Sequence, residues 1–469
     1  MKKSISLVTL LGAIVIASAQ TPAKLATAFK KFETDPQLSH ALVSLYVINA
    51  KTGKVIIDKN SKMGMAPAST QKIITSATAF ELLGKDYRYK TSFYNAKRIK
   101  WPGVNDLLVI GSGDPTLGSW RYNNTTEDVI LKNIYDNIRA KNIKTFTGEI
   151  VINNFENESI PGGYNWQDIG NYYGAGHYHF SWHENQYDIA FKTANEGLSE
   201  IVNIKPAVPA IEFINQVIAG KKGSGDNAYV YFVPGKNEIV LKGTVPPAQS
   251  SFTISGAVPD PSMLFADQLQ KYLLKENESV TIVNGFPEKR ISITESSTEF
   301  LRAYQLDTIY NHYSPPLDSV IYWFLKKSIN LYGEALIKTM ALEKKGKSNI
   351  DDGVELVKDF WRQKNIDPDE LNLYDGSGLS PSNRVTTHAQ VEVLKYAKKR
   401  NWFSYYYNAF PEYNKMKMKS GTIADVKGFA GYHTAKDGTE YIFSFLVNNY
   451  NGSSGTLVQK MYKVLDELK

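Results

Sequence analysis

A serine followed three residues later by a lysine, in Ala66-Pro67-Ala68-Ser69-Thr70-Gln71-Lys72, is the pair in this 469-residue chain that could do covalent chemistry. The Ile73-Ile74-Thr75-Ser76-Ala77 that follows reads as helix, so Ser69 stands at its start and Lys72 one turn on, on the same face. A serine hydroxyl is a weak nucleophile until a neighbouring base takes its proton, and orphan N–H groups at a helix start stabilise developing negative charge. The same four residues also fit a helix cap followed by a solvated lysine. Their chemistry therefore depends on what the rest of the chain brings to them.

The elements that must position this pair come from both ends of the chain. A first helix is expected over 21–32, from the spacing of Leu25, Ala28, Phe29 and Phe32, then a hairpin of Ala41–Ile48 and Lys54–Asp58. Near the other end Lys415–Thr422, Gly428–Thr434 and Glu440–Asn448 read as strands. A closing helix carries Leu457, Met461, Val464, Leu465 and Leu468 as an apolar stripe. Two early and three late strands, flanked by terminal helices, imply one antiparallel sheet in a mixed α/β (α+β) chain. From about Tyr87 to Pro287 the text changes to short alternating strands such as 147–153, 228–233 and 238–241, punctuated by Pro and Gly, with one helix at 262–274 and a strand at 279–283. Helical text returns over 315–345 and 354–363, and the turn-rich Asp375-Gly376-Ser377-Gly378-Leu379-Ser380 leads to a helix beginning near Thr387.

Two further short motifs follow Ser69-x-x-Lys72: Ser328-Ile329-Asn330 between apolar helical stretches, and Lys419-Ser420-Gly421-Thr422 in a strand. In this order, on a helix start, an interhelical loop and a strand, they are arranged as in the penicilloyl-serine transferases. The longer stretches PASTQK, SPPLDSVIYWFLKKSINLYGEALIK, DGSGLS, GSGDPTL and DIGNYYGA resemble the class C low-molecular-mass penicillin-binding proteins, the D-alanyl-D-alanine carboxypeptidase/endopeptidases. The resemblance covers essentially the whole chain beyond its leader. It implies a transpeptidase-like catalytic domain over 20–86 and 288–469, interrupted by an insertion of two β-rich subdomains over 87–287.

On this resemblance Ser69 attacks the carbonyl between two D-alanines and Lys72 is its base. An ordinary lysine, with a pKa of ~10.4, holds only about one part in 2,500 as free amine at pH 7. A nearby cation, Lys419, is expected to lower that value; a drop to about 7 corresponds to roughly 4–5 kcal/mol. Ser328 relays a proton to the departing amine and Asn330 orients the lysine and binds substrate backbone. The strand edge through Ser420, Gly421 and Thr422 pairs with extended substrate, Lys419 and the hydroxyls holding its terminal carboxylate. The N–H groups of Ser69 and Thr422 form the oxyanion hole. Ser420 stands where the family's third motif has Thr; a hydroxyl is kept, so altered rate or drug sensitivity is expected. Asp168 and Tyr173 match the inserted motif whose acidic residue receives the ammonium of the stem peptide's diamino acid, and Arg384 is a further candidate for substrate contact. A loop-packing carboxylate and a core tyrosine remain the alternative for the first two.

The implied partners are peptidoglycan stem peptides and β-lactams, and no cofactor is required. A serine β-lactamase, or a non-hydrolytic protein that binds peptidoglycan or senses β-lactams, are the alternatives. In class A β-lactamases a deacylating glutamate stands four residues before an asparagine; here Pro368 precedes Asn372, which counts against efficient hydrolysis. His177, His179, His183 and Glu184 cluster in sequence, but their spacings need different secondary structures to share one face, so no metal is expected. Gly111-Ser112-Gly113-Asp114-Pro115 lacks the Lys-Ser/Thr of a phosphate loop.

Composition narrows the setting. The chain is 42% hydrophobic and 22% charged, with no cysteine, so disulfides and thiolate chemistry are excluded. Its formal charge of +7, of which Lys2 and Lys3 supply two, is too mild and dispersed for nucleic acid. Lys2-Lys3, the apolar run Leu7–Ala17 and Ala17-Ser18-Ala19 read as a signal peptide cleaved after Ala19, implying a periplasmic protein with no stable membrane span. The 29 Tyr and 7 Trp suit sugar or peptide grooves as well as structural packing.

Overall fold

A computed structural model describes residues 21–152, 159–276, 281–282 and 300–469. The leader expected over 1–19 and most of the strand expected at 279–283 lie outside them. The chain divides into two compact units. One comprises the described residues up to Lys85 with Ile321–Ile329 and Leu336–Lys469; the other is Asp86–Val320 with Asn330–Ala335.

The first unit is built on a six-stranded sheet assembled from both ends of the chain. Its order is Glu412–Tyr413, Met416–Ile423, Val426–Thr434, Glu440–Asn448, Leu42–Asn49, Val55–Lys59. Leu42–Asn49 runs antiparallel to Glu440–Asn448 over its whole length, from Leu42 opposite Asn448 to Asn49 opposite Tyr441. On one face the terminal helices, 21–33 and Ser454–Leu465, bury Leu25, Phe29, Leu457 and Met461 against Phe443 and Phe445. The Phe32 ring meets Phe445 edge-on at 5.2 Å. On this unit's helical side the helix Lys72–Leu82 is buried from Lys72 through Phe80, which is why its sequence is apolar or small all round. The helix Thr387–Ala397, capped by Thr386, ties the sheet to the turn carrying Ser69: Ser444 Oγ donates to Gln390 Oε1 at 2.6 Å, and Gln390 Nε2 donates to Thr70 Oγ1 at 2.7 Å.

The second unit contains a four-stranded sheet, Tyr304–Tyr313, Lys90–Arg98, Asn105–Ile110, Ile150–Ile152, and two three-stranded sheets drawn from 186–257. Three expectations change here. The region is not purely strand until 262: Glu127–Ala140 is a helix that buries Ile130, Leu131, Ile134, Tyr135 and Ile138, a spacing readable in the sequence. In addition, Tyr304–Tyr313 pairs antiparallel with Lys90–Arg98, so residues 300–320 belong with this unit rather than with the terminal sheet. Of the strand expected over 147–153, the described residues form strand at Ile150–Ile152, and Thr147 Oγ1 bonds instead to Gly103 O and Asn105 Oδ1.

The Pro368–Glu370 turn and strand Leu371–Asn372 form as expected, and Glu370 is an ionic tie within the first unit. Its carboxylate meets Lys62 Nζ at 2.6 Å and His388 Nδ1 at 2.9 Å, and accepts from Thr386 Oγ1. Burial would raise its pKa, but His388, Lys62 and Thr386 outweigh burial and hold it at about 2. A depressed carboxylate contributes stability that is complete above its unfolded value and disappears as pH falls through the folded one. Glu370→Gln is expected to cost about 1–3 kcal/mol in urea unfolding at pH 7, discounted for the exposed Lys62, and progressively less between pH 4.5 and 2. An equal cost at pH 7 and pH 2.5 would contradict the ionic account.

Candidate active site

Ser69 lies in a single 3-10 turn, Ala68–Gln71, and the α-helix proper begins at Lys72. Ala68 before it has φ of 47°, a left-handed conformation that favours glycine, so Ser69 follows a kinked backbone. Thr70 Oγ1 donates to Pro67 O at 2.7 Å and closes the turn. Ser69 is half-buried, whereas Lys72 is fully buried. Lys72 Nζ stands 3.0 Å from Ser69 Oγ and 2.7 Å from Ser377 O, and 5.5 Å from the centroid of the Phe324 ring. The expected amine beside an alcohol is therefore present, with the amine over a ring of the helix Leu317–Lys326.

The DGSGLS loop forms the other wall around Lys72. Asp375, fully buried, receives the N–H of Gly378 at 2.7 Å and of Ser380 at 2.6 Å. Gln71 Nε2 donates to Asp375 O and Oδ1, and Thr75 Oγ1 donates to Gly376 O at 2.6 Å, stitching the loop to the nucleophile helix. Gly378 is required twice over. Its φ is +83°, and a Cβ there would collide with the Ala68 carbonyl. Burial pushes the Asp375 carboxyl up, against the opposing hydrogen bonds and the charge of Lys72.

Lys419, Ser420, Gly421 and Thr422 lie on the strand Met416–Ile423. This strand pairs with Val426–Thr434 on one side and on the other only with Glu412–Tyr413, so from Lys419 onward its outer edge faces no strand among the described residues. Gly421 packs directly on the nucleophile turn: a Cβ would lie 2.6 Å from Pro67 O and 3.0 Å from Thr70 N. Lys419 is 2% exposed, and its Nζ donates to Ser420 O at 2.8 Å. Burial first, then the like charges of Lys72 and Lys427, hold its pKa well below the ordinary lysine range. Coulombic repulsion is reciprocal, so the charges of Lys72 and Lys419 disfavour each other.

Two groups not singled out from the sequence join this unit's site. Lys427 stands opposite Thr422 across the hairpin and donates to its Oγ1 at 2.6 Å. The two-residue turn at 424–425 would have placed it there once the strand register was known. Asp375 was visible only as part of a turn-rich motif, because two of its main partners are backbone N–H groups.

Ser328, also in the first unit, has φ of 60°. Asn330 begins the helix Asn330–Lys345 and falls in the second unit, where its Nδ2 donates to Tyr173 O at 2.7 Å. Asp168 and Tyr173 are together, with Tyr173 OH donating to Asp168 Oδ1 at 3.3 Å. Burial raises the Asp168 pKa despite hydrogen bonds from Tyr173 and Asn165. Arg384 is exposed and Nη1 donates to Pro381 O and Asn383 O, so its guanidinium braces its own loop. The histidine-rich segment has other uses: His177 Nε2 bonds to Gly113 O, His183 Nδ1 faces Glu127, and Glu184 meets Arg121.

Known proteins resemble this chain in both sequence and fold. A D-alanyl-D-alanine carboxypeptidase from Actinomadura sp. (strain R39) is 25% identical over 455 residues, covering 91% of this chain and 81% of that protein. The D-alanyl-D-alanine carboxypeptidase DacB of Haemophilus influenzae is 23% identical over 484 residues, covering 98% and 96%. The crystal structure of penicillin-binding protein 4 (dacB) from the same organism superposes with a TM-score of 0.74 at 21% identity, over 91% of this chain and 96% of that one. The same protein complexed with a novel β-lactam gives a TM-score of 0.68 at 21% identity, over 92% and 95%. The fold is thus the transpeptidase-like one expected, and the family profile matches residues 25–413: the chain belongs to the D-Ala-D-Ala carboxypeptidase 3 (S13) family.

Proposed function

We propose that Ser69 is the acylated nucleophile of an exported D,D-carboxypeptidase that also cuts D-alanyl cross-links of peptidoglycan, and that β-lactams acylate the same oxygen. The observation that carries this reading is the fully buried amine of Lys72, 3.0 Å from Ser69 Oγ and held by Ser377 O at 2.7 Å. Lys72 takes the hydroxyl proton as Ser69 Oγ bonds to the carbonyl carbon between the two D-alanines. The N–H groups of Ser69 and Thr422 receive the oxyanion, and Ser328 relays that proton from Lys72 to the departing D-alanine nitrogen. Lys419, with Lys427 behind Thr422, holds the terminal carboxylate, and water then hydrolyses the acyl-enzyme. Asn330 orients substrate backbone. Burial of Glu370 among Lys62, His388 and Thr386 argues against its use as a deacylating base, and so against the β-lactamase reading.

Fluorescent penicillin tests the assignment. Stable label on Ser69, absent from Ser69→Ala, together with release of D-alanine from pentapeptide, is the expected result. Rapid loss of label would favour a β-lactamase, and no label would exclude the acyl-serine mechanism. Digestion of muropeptides, scored for pentapeptide trimming against dimer cleavage, gives the balance of the two activities.

Asp168, half-buried beside Tyr173, supports recognition of the stem peptide's diamino acid. Asp168→Asn is expected to reduce kcat/KM for a peptide with a free ammonium on that residue by about 10–100-fold, with little effect on the N-acetylated peptide or on penicillin. Equal losses on both peptides would assign Asp168 to loop packing. The mature N-terminus of the secreted protein is expected at Gln20, read by N-terminal sequencing.

A further inference from the structure

Within the second unit, His183, Glu184 and Asn185 are three consecutive non-glycine residues in the left-handed region, with φ of 55°, 49° and 50°. Such a run is unfavourable at each position and persists only where the surroundings over-determine it. Here they do: Trp182 N–H donates to Asn185 Oδ1 at 3.0 Å, Asn185 Nδ2 to Gly176 O at 2.8 Å, and Val258 N–H to Asn185 O at 2.8 Å. What the strained turn delivers is Glu184, whose side chain is 1% exposed. Its Oε1 receives Ser119 Oγ at 2.7 Å, Arg121 Nε at 2.8 Å and Tyr332 OH at 2.7 Å. A buried charge is costly unless paired and fully hydrogen-bonded, and an apolar cluster would pack this space with less penalty.

Tyr332 is the third residue of the helix that Asn330 begins. Burial first, and then the Glu184 charge, keep its phenol well above the ordinary tyrosine range, so it remains a donor. The same first turn is held again where Tyr164 OH donates to Glu334 Oε1 at 2.8 Å, one helical turn from Asn330. We propose that Glu184 is a positioning residue for the second motif: through Tyr332 it fixes the first turn of this helix, and with it the carboxamide of Asn330. This rests on the reading of Asn330 as the residue that orients substrate during acylation of Ser69.

A double-mutant cycle on acylation by benzylpenicillin, with the rate constant separated from initial binding, tests the proposal. Tyr332→Phe and Glu184→Gln, each alone and combined with Asn330→Ala, are the variants. Each single change is expected to slow acylation about tenfold or more with little change in initial binding, and to have no further effect once Asn330 is alanine. A full loss persisting in the Asn330→Ala background would make Glu184 a support of the fold alone, as would wild-type acylation by Tyr332→Phe. Should Glu184→Gln fail to fold, the Tyr332→Phe cycle decides by itself, since it removes only one hydroxyl. Absence of wild-type labelling at Ser69 would overturn the acyl-serine mechanism and this inference with it, whereas additivity in an enzyme that does acylate overturns only the inference.

Discussion

Lys72→Met is expected to slow acylation of Ser69 by penicillin by about 10²–10⁴-fold, the range that a positioned general base supplies, while thermal unfolding changes little. Methionine keeps the length and apolar stem of a fully buried side chain that lies against Phe324, and it leaves no unpaired ammonium behind. Ser377 O would lose its partner amine, and Asp375 the positive charge that opposes its protonation. Neither change forces the turn open, because Asp375 keeps the N–H groups of Gly378 and Ser380 and the amide of Gln71. The measurement is the second-order rate constant for labelling, with circular dichroism and melting to verify the fold. Labelling within tenfold of wild type would remove Lys72 from the role of base.

Much of the first unit was readable because its strands have the period and β-branched content of half-buried sheet. The pairing of Leu42–Asn49 with Glu440–Asn448 was foreseeable as the way to close two early strands onto three late ones. Asp375 was not readable as a centre of hydrogen bonds, since backbone N–H groups leave no trace in side-chain patterns. Ala68 and Ser328, with φ of 47° and 60°, were likewise invisible, because local propensity predicts neither residue in the left-handed region. Glu184 shows the opposite case. It stands among histidines in sequence, but its partners, Arg121 and Tyr332, lie 63 residues before and 148 residues after it. Only the fold reveals which of several nearby polar residues share one environment.

The site also shows why weak motifs require company. Gly421 is needed because the strand Met416–Ile423 touches the Ser69 turn, Gly378 because the DGSGLS loop touches the same turn from elsewhere, and Gln71 because it ties that loop to the helix. These contacts enclose Lys72 between a buried carboxylate, which favours its charged form, and a buried ammonium, which disfavours it. Of these two groups, Lys419 is the one that can be altered without unmaking the loop, whose backbone N–H groups are held by Asp375.

Lys419→Met is expected to lower kcat/KM for D-alanyl-D-alanine peptides by about 10²-fold or more, through loss of a charge-assisted bond to the terminal carboxylate. It should also move the acidic limb of the acylation pH profile upward. Sign follows from charge: protonated Lys419 repels a proton on its neighbour, so removing it lets the base retain that proton to higher pH, and a higher pH is then needed to free the amine. Lys419→Arg separates the two effects. A guanidinium stays charged and can still hold a carboxylate, so peptide binding should be partly restored and the limb should not rise. The deciding measurement is kcat/KM against pH for all three proteins with one carboxylate-bearing peptide and with penicillin. An unshifted limb in Lys419→Met would leave carboxylate binding as the role of Lys419 and require burial alone to activate Lys72.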